Sequence, residues 1–219
     1  MDKIDKYRND IRDSKFFTEI KESLNDYKFN RIRCLALGSI TDNSNSRYQY
    51  ALLLELIDYF EIKIEMVSIY DPIFNDKDKE ILRDFEIEEN FSHPKDESTL
   101  FYIPHLPLEI MEQIVQKEQP VYFIGNDIIS HTDRLSKQKL NDLYPSMSIM
   151  VNLLNDKSNN DGFTKIIKNR KQFKEPEIEY DSNSVYFKKV EIIRYIYNFN
   201  KNDIWGTSFS DIAFHKLII

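Results

Sequence analysis

Apolar residues recur at spacings of three and four through Ile4, Tyr7 and Ile11, then through Phe16, Phe17, Ile20, Leu24 and Tyr27. This predicts a helical lead-in over residues 1–29 with one face on the core. The period then changes. A nearly continuous apolar run from Ile32 to Leu37 reads as a strand, a polar loop follows, and a helical pattern covers about Ser46 to Tyr59. A second strand reading, Ile62 to Tyr70, stops at Asp71 and Pro72, where proline restricts the preceding residue to extended geometry. Residues 75–85 carry a helical pattern through Ile81, Leu82 and Phe85, with a short strand beginning at Phe85 to Ile87. Thr99 to Ile103 and Val121 to Ile124 read as strands on either side of a helix from about Pro107 to Lys117, with proline in its first turn.

Strands that are apolar throughout, alternating with helices, argue for a parallel sheet covered on both faces. The expected fold is α/β: a Rossmann-like, doubly wound, mostly parallel sheet. It has the N-terminal helical lead-in (1–29) and one α/β domain over 30–219. The rhythm weakens after Leu143, and a polar, flexible insertion is expected around 155–184. Val185 to Tyr197 is read as helix from about Lys189, and Thr207 to Ile219 as a terminal strand or hairpin.

Composition narrows the chemistry. Only four glycines occur in 219 residues, where average usage gives about fifteen. Gly38, Gly125, Gly162 and Gly206 lie too far apart to build a GxGxxG or GxxxxGK[ST] phosphate loop. With 30 basic and 37 acidic residues the net charge is −7, which disfavours a broad nucleic-acid or anionic-membrane footprint. The single cysteine, Cys34, excludes an internal disulfide and any cysteine zinc cluster, and reads as a small core residue. The charged N-terminal residues lack a signal-peptide core, and no apolar run has membrane-spanning length, so the expected location is cytoplasmic and/or nuclear.

In an open parallel sheet, ligands bind outside the carboxyl ends of the strands. Four strand ends fall there: Gly38 and Ser39, Asp71, Pro104 and His105, and Gly125, Asn126 and Asp127. The loop GSITDNSNSR would present free amides and a positive helix end to an anion, with Ser39, Ser44, Ser46 and Arg47 adding donors. A capped, solvated turn is the plainer reading of the same residues. Asp71 sits where nucleotide-binding sheets keep a ribose acceptor, or it simply starts an Asp-Pro turn. His105, stiffened between two prolines, is a candidate general acid or base with Asp71, or a histidine bonded to loop backbone. Asp211 and His215, four apart, form a possible second polar pair or a buried pair packed by aromatics. His93 and His131 read as solvated loop residues. No spacing supports a metal site, and no cofactor is named by the sequence.

Four segments together resemble the sensitivity-to-red-light-reduced family of regulatory proteins: CLALGSITDNSNSRYQYALLLEL, IYDPIFNDKDKEIL, TLFYIPHLPLEIMEQIV with VYFIGND, and FSDIAFHKL. Residues 103, 106, 127 and 210 depart from the pattern usual in that family. The resemblance implies a role in circadian and light responses, clock-gene expression or haem-biosynthesis control, with no catalytic activity generally assigned. Three readings stand: a regulatory protein binding a small phosphate-bearing or nucleotide-like ligand; a Rossmann-like methyltransferase, hydrolase or transferase using Asp71 and His105; and a scaffold recruiting a regulatory protein partner.

Overall fold

The computed structural model describes residues 3–91, 96–158, 177–195 and 204–219. Two helices open the chain, α1 (Lys3–Arg12) and α2 (Lys15–Leu24), separated by Ser14, whose hydroxyl caps α2 by accepting from Phe17 N at 3.0 Å. The buried face of α2 carries Phe16, Phe17, Ile20 and Leu24, as its three- and four-residue spacing requires. A third helix, α3 (Ser44–Tyr59), holds α1 through buried Glu55, which accepts from Arg8 and from both Nε and Nη2 of Arg12.

Seven strands form one sheet: β1 (Arg31–Leu35), β2 (Val67–Tyr70), β3 (Glu86–Ile87), β4 (Thr99–Ile103), β5 (Tyr122–Asn126), β6 (Lys189–Arg194) and β7 (Ile212–Ile218). Their order is β3-β2-β1-β4-β5-β7-β6. The first five are parallel; β7 runs antiparallel to β5, and β6 antiparallel to β7. This is a mixed α/β, Rossmann-like sheet whose direction of winding reverses between β1 and β4. Among the described residues, five further helices are α4 (Asp76–Ile81), α5 (Leu108–Lys117), α6 (Ile128–Thr132), α7 (Lys137–Leu143) and α8 (Pro145–Ser158).

Two cores lie on opposite faces of the sheet. Ile32 and Cys34 of β1 point into one with α2 and α3, while Leu35 joins Phe101, Phe123, α5 and α8 in the other. Burial pushes the Cys34 thiol well up from its ordinary value, so it is an inert core group. The α5 carboxylate of Glu112 caps α8, accepting from Ser146 N at 2.9 Å and Met147 N at 3.0 Å.

Several boundaries differ from expectation. The run from Ile62 begins with a 3₁₀ turn, Ile64–Met66, before β2. The segment read as helix from Lys189 is instead β6, hydrogen-bonded to β7 over Lys189↔Ile218 to Arg194↔Ala213. As an edge strand it has a neighbour on one side only, so its exposed residues break the continuous apolar pattern of the inner strands. Within the expected polar insertion, α8 continues to Ser158 and a 3₁₀ turn covers Ser182–Ser184. Residues 159–176 of that insertion, with Gly162, lie outside the described residues, as does His93.

Candidate functional site

The loop leaving β1 is built by two unusual backbone positions. Ala36 and Gly38 both adopt positive φ, 53° and 77°. A Cβ on Gly38 would stand 2.3 Å from Ser46 Oγ, so the first turn of α3 packs directly on that glycine. Asp71, just after β2, fastens the loop: its Oδ2 accepts from Gly38 N at 2.8 Å and its Oδ1 from Ile73 N at 3.0 Å. Below, fully buried Asp78 accepts from Thr41 N and Asn75 N, completing a capping box for α4. Burial opposes charge on Asp78, but the bonds from Thr41, Ser39 and Asn75 outweigh it and hold the carboxyl below its usual range.

Across the sheet, the His105 loop is clamped through its neighbour Leu106. Leu106 N donates to Asn126 Oδ1 at 3.0 Å, and Leu106 O accepts from His131 Nε2 at 3.0 Å. Asn126 Nδ2 in turn donates to Asp211 Oδ2 at 2.8 Å, tying β5 to the entry of β7. His131 is therefore half-buried and engaged rather than solvated. Burial lowers its pKa from the ordinary value, against the Leu106 carbonyl and the Asp211 charge. The segment before β7 also grips α3: Asn45 Nδ2 donates to Thr207 Oγ1, Ser208 Oγ to Asn45 Oδ1, and Gln49 Nε2 to Ser208 O.

These elements surround a cleft of about 960 Å³, within the range of small-molecule sites. Gly38, Ser46, Asp71, His105 and Asp211 line it. His105 is exposed there, and among the described residues its ring makes no hydrogen bond.

The other candidates are placed elsewhere. Ser39 Oγ is engaged by Thr41, Asp42 N and Asn75; Arg47 donates to the carbonyls of Ile40 and Thr41; Ser44 is exposed outside the lining. Three of the four supposed anion donors thus brace or flank the loop. Gly125 serves strand packing, since a Cβ there would meet Ile103 O at 2.8 Å. Asp211 and His215 have different partners. His215 is fully buried in β7, stacked on Phe123 at 4.1 Å, and its Nε2 accepts from Ile128 N at 3.4 Å. Asp127 caps α6 and pairs with Arg194 at 2.7 Å.

Sequence reading missed the far wall. Ile110, Gln113, Ile114 and Lys117 of α5 line the cleft at helical spacings of three, one and three, and Glu118 follows them. The signal was present as an apolar stripe broken by Gln113 and Lys117. Among the described residues, no group of three His, Cys, Asp or Glu side chains is arranged to hold a metal, and no helix is long and apolar enough to cross a membrane.

A model of the SRR1 domain matches residues 16–216, from α2 to within β7. The chain belongs to the SRR1 domain family. The SRR1-like protein of Drosophila melanogaster is 33% identical to it over 90 residues, which cover 39% of this chain and 32% of the relative. The aligned stretch thus spans about a third of that relative's length. No solved structure matches significantly. In this SRR1 domain, the segments around Gly38 to Gln49, Pro104 with His105, and Phe209 to Asp211 come from distant parts of the sequence and meet at one cleft.

Proposed function

We propose that this SRR1 domain is a regulatory protein that binds a small nucleotide-like ligand in the cleft at the carboxyl edge of its sheet. The observation that carries the reading is the convergence of Gly38, Asp71, His105 and Asp211 on one cleft beside the β1–β4 reversal, where open α/β sheets take ligands. The lining selects among such ligands. Its carboxylates are Asp71, Glu89, Glu118 and Asp211; Glu118 is paired with buried Arg33, which leaves Asp71, Glu89 and Asp211 against one ammonium, Lys117, a balance that opposes a polyphosphate and favours a donor-rich nucleoside moiety. Asp71 and His105 share the cleft, but both Asp71 oxygens are engaged by backbone amides, which supports an anchoring role for the acid over acid–base partnership with His105. The family resemblance supports a regulatory setting of the circadian or haem-biosynthesis kind, in the cytoplasm or nucleus.

Titration calorimetry of the full chain with adenosine, AMP, ATP and S-adenosylmethionine tests this. The expected result is saturable binding of adenosine, weaker binding of ATP, and about tenfold loss in Asp211→Asn, equivalent to ~1.4 kcal/mol. Absence of saturable heat with all four compounds at millimolar concentration overturns the reading.

A further inference from the structure

The ligand-facing side of the sheet has an opening that the winding rule would fill. In a doubly wound sheet, the crossover from the outer strand on one side to the first strand on the other carries a helix, and that helix covers the inner strands it passes. Here the crossover is residues 88–98, between β3 and β4, and its described parts, 88–91 and 96–98, contain no helix. Buried Arg33 straps this connection down. Its Nη1 donates to Glu88 O at 2.8 Å and its Nη2 to Glu89 O at 2.9 Å, and its guanidinium lies over the Phe91 ring.

The strap therefore sits over the middle of β1. Two residues further along the same face stands Leu35, in register with Tyr70 of β2, and both line the cleft. Opposite them, α5 presents Ile110 and Ile114. At the lip, Ile73 is 61% exposed. The cleft thus has two parts: a polar rim at the strand ends, and a chamber between the β1–β2 face and α5 whose apolar walls are Leu35, Tyr70, Ile110 and Ile114, with Gln113, Lys117 and Glu118 as its polar members.

We propose that this chamber is a ring-binding site, receiving a flat aromatic or heteroaromatic group whose hydrogen-bonding part lies at the rim. The proposal rests on the ligand-binding reading above and adds where the base of a nucleoside-like ligand goes. It also assigns a reason why the described parts of the crossover, 88–91 and 96–98, hold no helix: the space beside them is the chamber.

N-phenyl-1-naphthylamine, an uncharged ring probe whose emission rises in apolar surroundings, tests the chamber directly on the full chain. The wild type is expected to enhance its emission saturably, and adenosine to displace it. Ile110→Trp, at a 40% exposed position that tolerates bulk, fills the chamber and lowers probe and adenosine affinity at least tenfold. Tyr70→Ala removes the floor and weakens probe binding as an independent check, with circular dichroism and melting confirming the fold of each variant. Absence of enhancement in the wild type, or enhancement unchanged in both variants, overturns the chamber whether or not nucleosides bind. Probe binding that both variants abolish, with no nucleoside binding in any titration, supports the chamber and overturns the nucleotide reading.

Discussion

Gly38 carries two constraints of different kind. Its φ of +77° disfavours any L side chain, and a Cβ would also strike Ser46 Oγ. Left-handed backbone costs about 1–2 kcal/mol for a non-glycine residue, and the overlap adds about 1–3 kcal/mol. Gly38→Ala should therefore lose roughly 2–5 kcal/mol in urea denaturation. Adding Ser46→Ala removes the colliding oxygen but not the backbone strain, so the double variant should recover the overlap portion only. Equal stability of the single and double variants would show that the hydroxyl is not in contact. Gly125→Ala offers the contrast, because its Cβ meets the carbonyl of Ile103, and no side-chain substitution can relieve a backbone contact. Asp71 was legible in the sequence as a residue of interest, and its bond from Ile73 N belongs to the Asp-Pro turn read there, yet its bond from Gly38 N was not, since hydrogen bonding across 33 residues depends on the register of two strands.

At the scale of elements, α2 is joined to the turn before β7 by aromatic rings. Phe16 stacks on Phe209 at 5.0 Å and lies within 6.3 Å of Trp205. Phe16→Ala, at a site with no exposed surface, should cost about 3–5 kcal/mol and lower the melting temperature by roughly 10 °C in a chain of this size. A fall under about 3 °C would mean that α2 is a dispensable lead-in. The helix itself was plain in the sequence because its apolar spacing is regular. Inner strands were plain for a related reason: burial on both faces makes β4 apolar from Leu100 to Ile103. The edge strand β6 was not, because Glu191 and Arg194 interrupt it and Val190, Ile193 and Tyr197 mimic helical spacing. The long helix α8 was masked by Ser146, Ser148 and Asn152, polar residues that dilute its apolar face even though Ser146 and Ser148 are buried. Of the cleft, the strand-end half was legible from loop positions. The α5 half was not, because it depends on which helix the winding places opposite β1.

Over the whole molecule, ionisation favours the folded state near neutrality and opposes it in acid. Burial in β7 lowers the pKa of His215 to about 3, while an unfolded histidine titrates near 6.5. Below about pH 6.5 the unfolded chain takes up a proton that the native chain refuses, so stability falls by about 1.4 kcal/mol per pH unit until the native ring titrates. Glu55, Asp78 and Asp127 act in the same direction at lower pH. Burial opposes their charge, but bonds from Arg12 and Arg8, from Thr41 and Ser39, and from Arg194 and Ser130 prevail and hold each carboxyl below its usual range. Their contribution is complete above the unfolded carboxylate pKa and is lost as pH falls through the native values. Urea midpoints measured from pH 7 to 4 should therefore decline, and His215→Phe, which keeps a ring against Phe123, should flatten the decline. Parallel curves for the two proteins would exclude His215 as its source.

The contact between Phe16 and Phe209 also sets an order of events. Helix α2 leaves the ribosome long before Trp205 and Phe209, so Phe16 must wait for that late segment, whereas Phe17 meets Tyr59 of α3 early. Contacts this distant in sequence form late and slowly. The rim carrying Thr207, Ser210 and Asp211 belongs to the same late segment. A nascent SRR1 domain would thus acquire its parallel strands first and its competence to hold a ligand last.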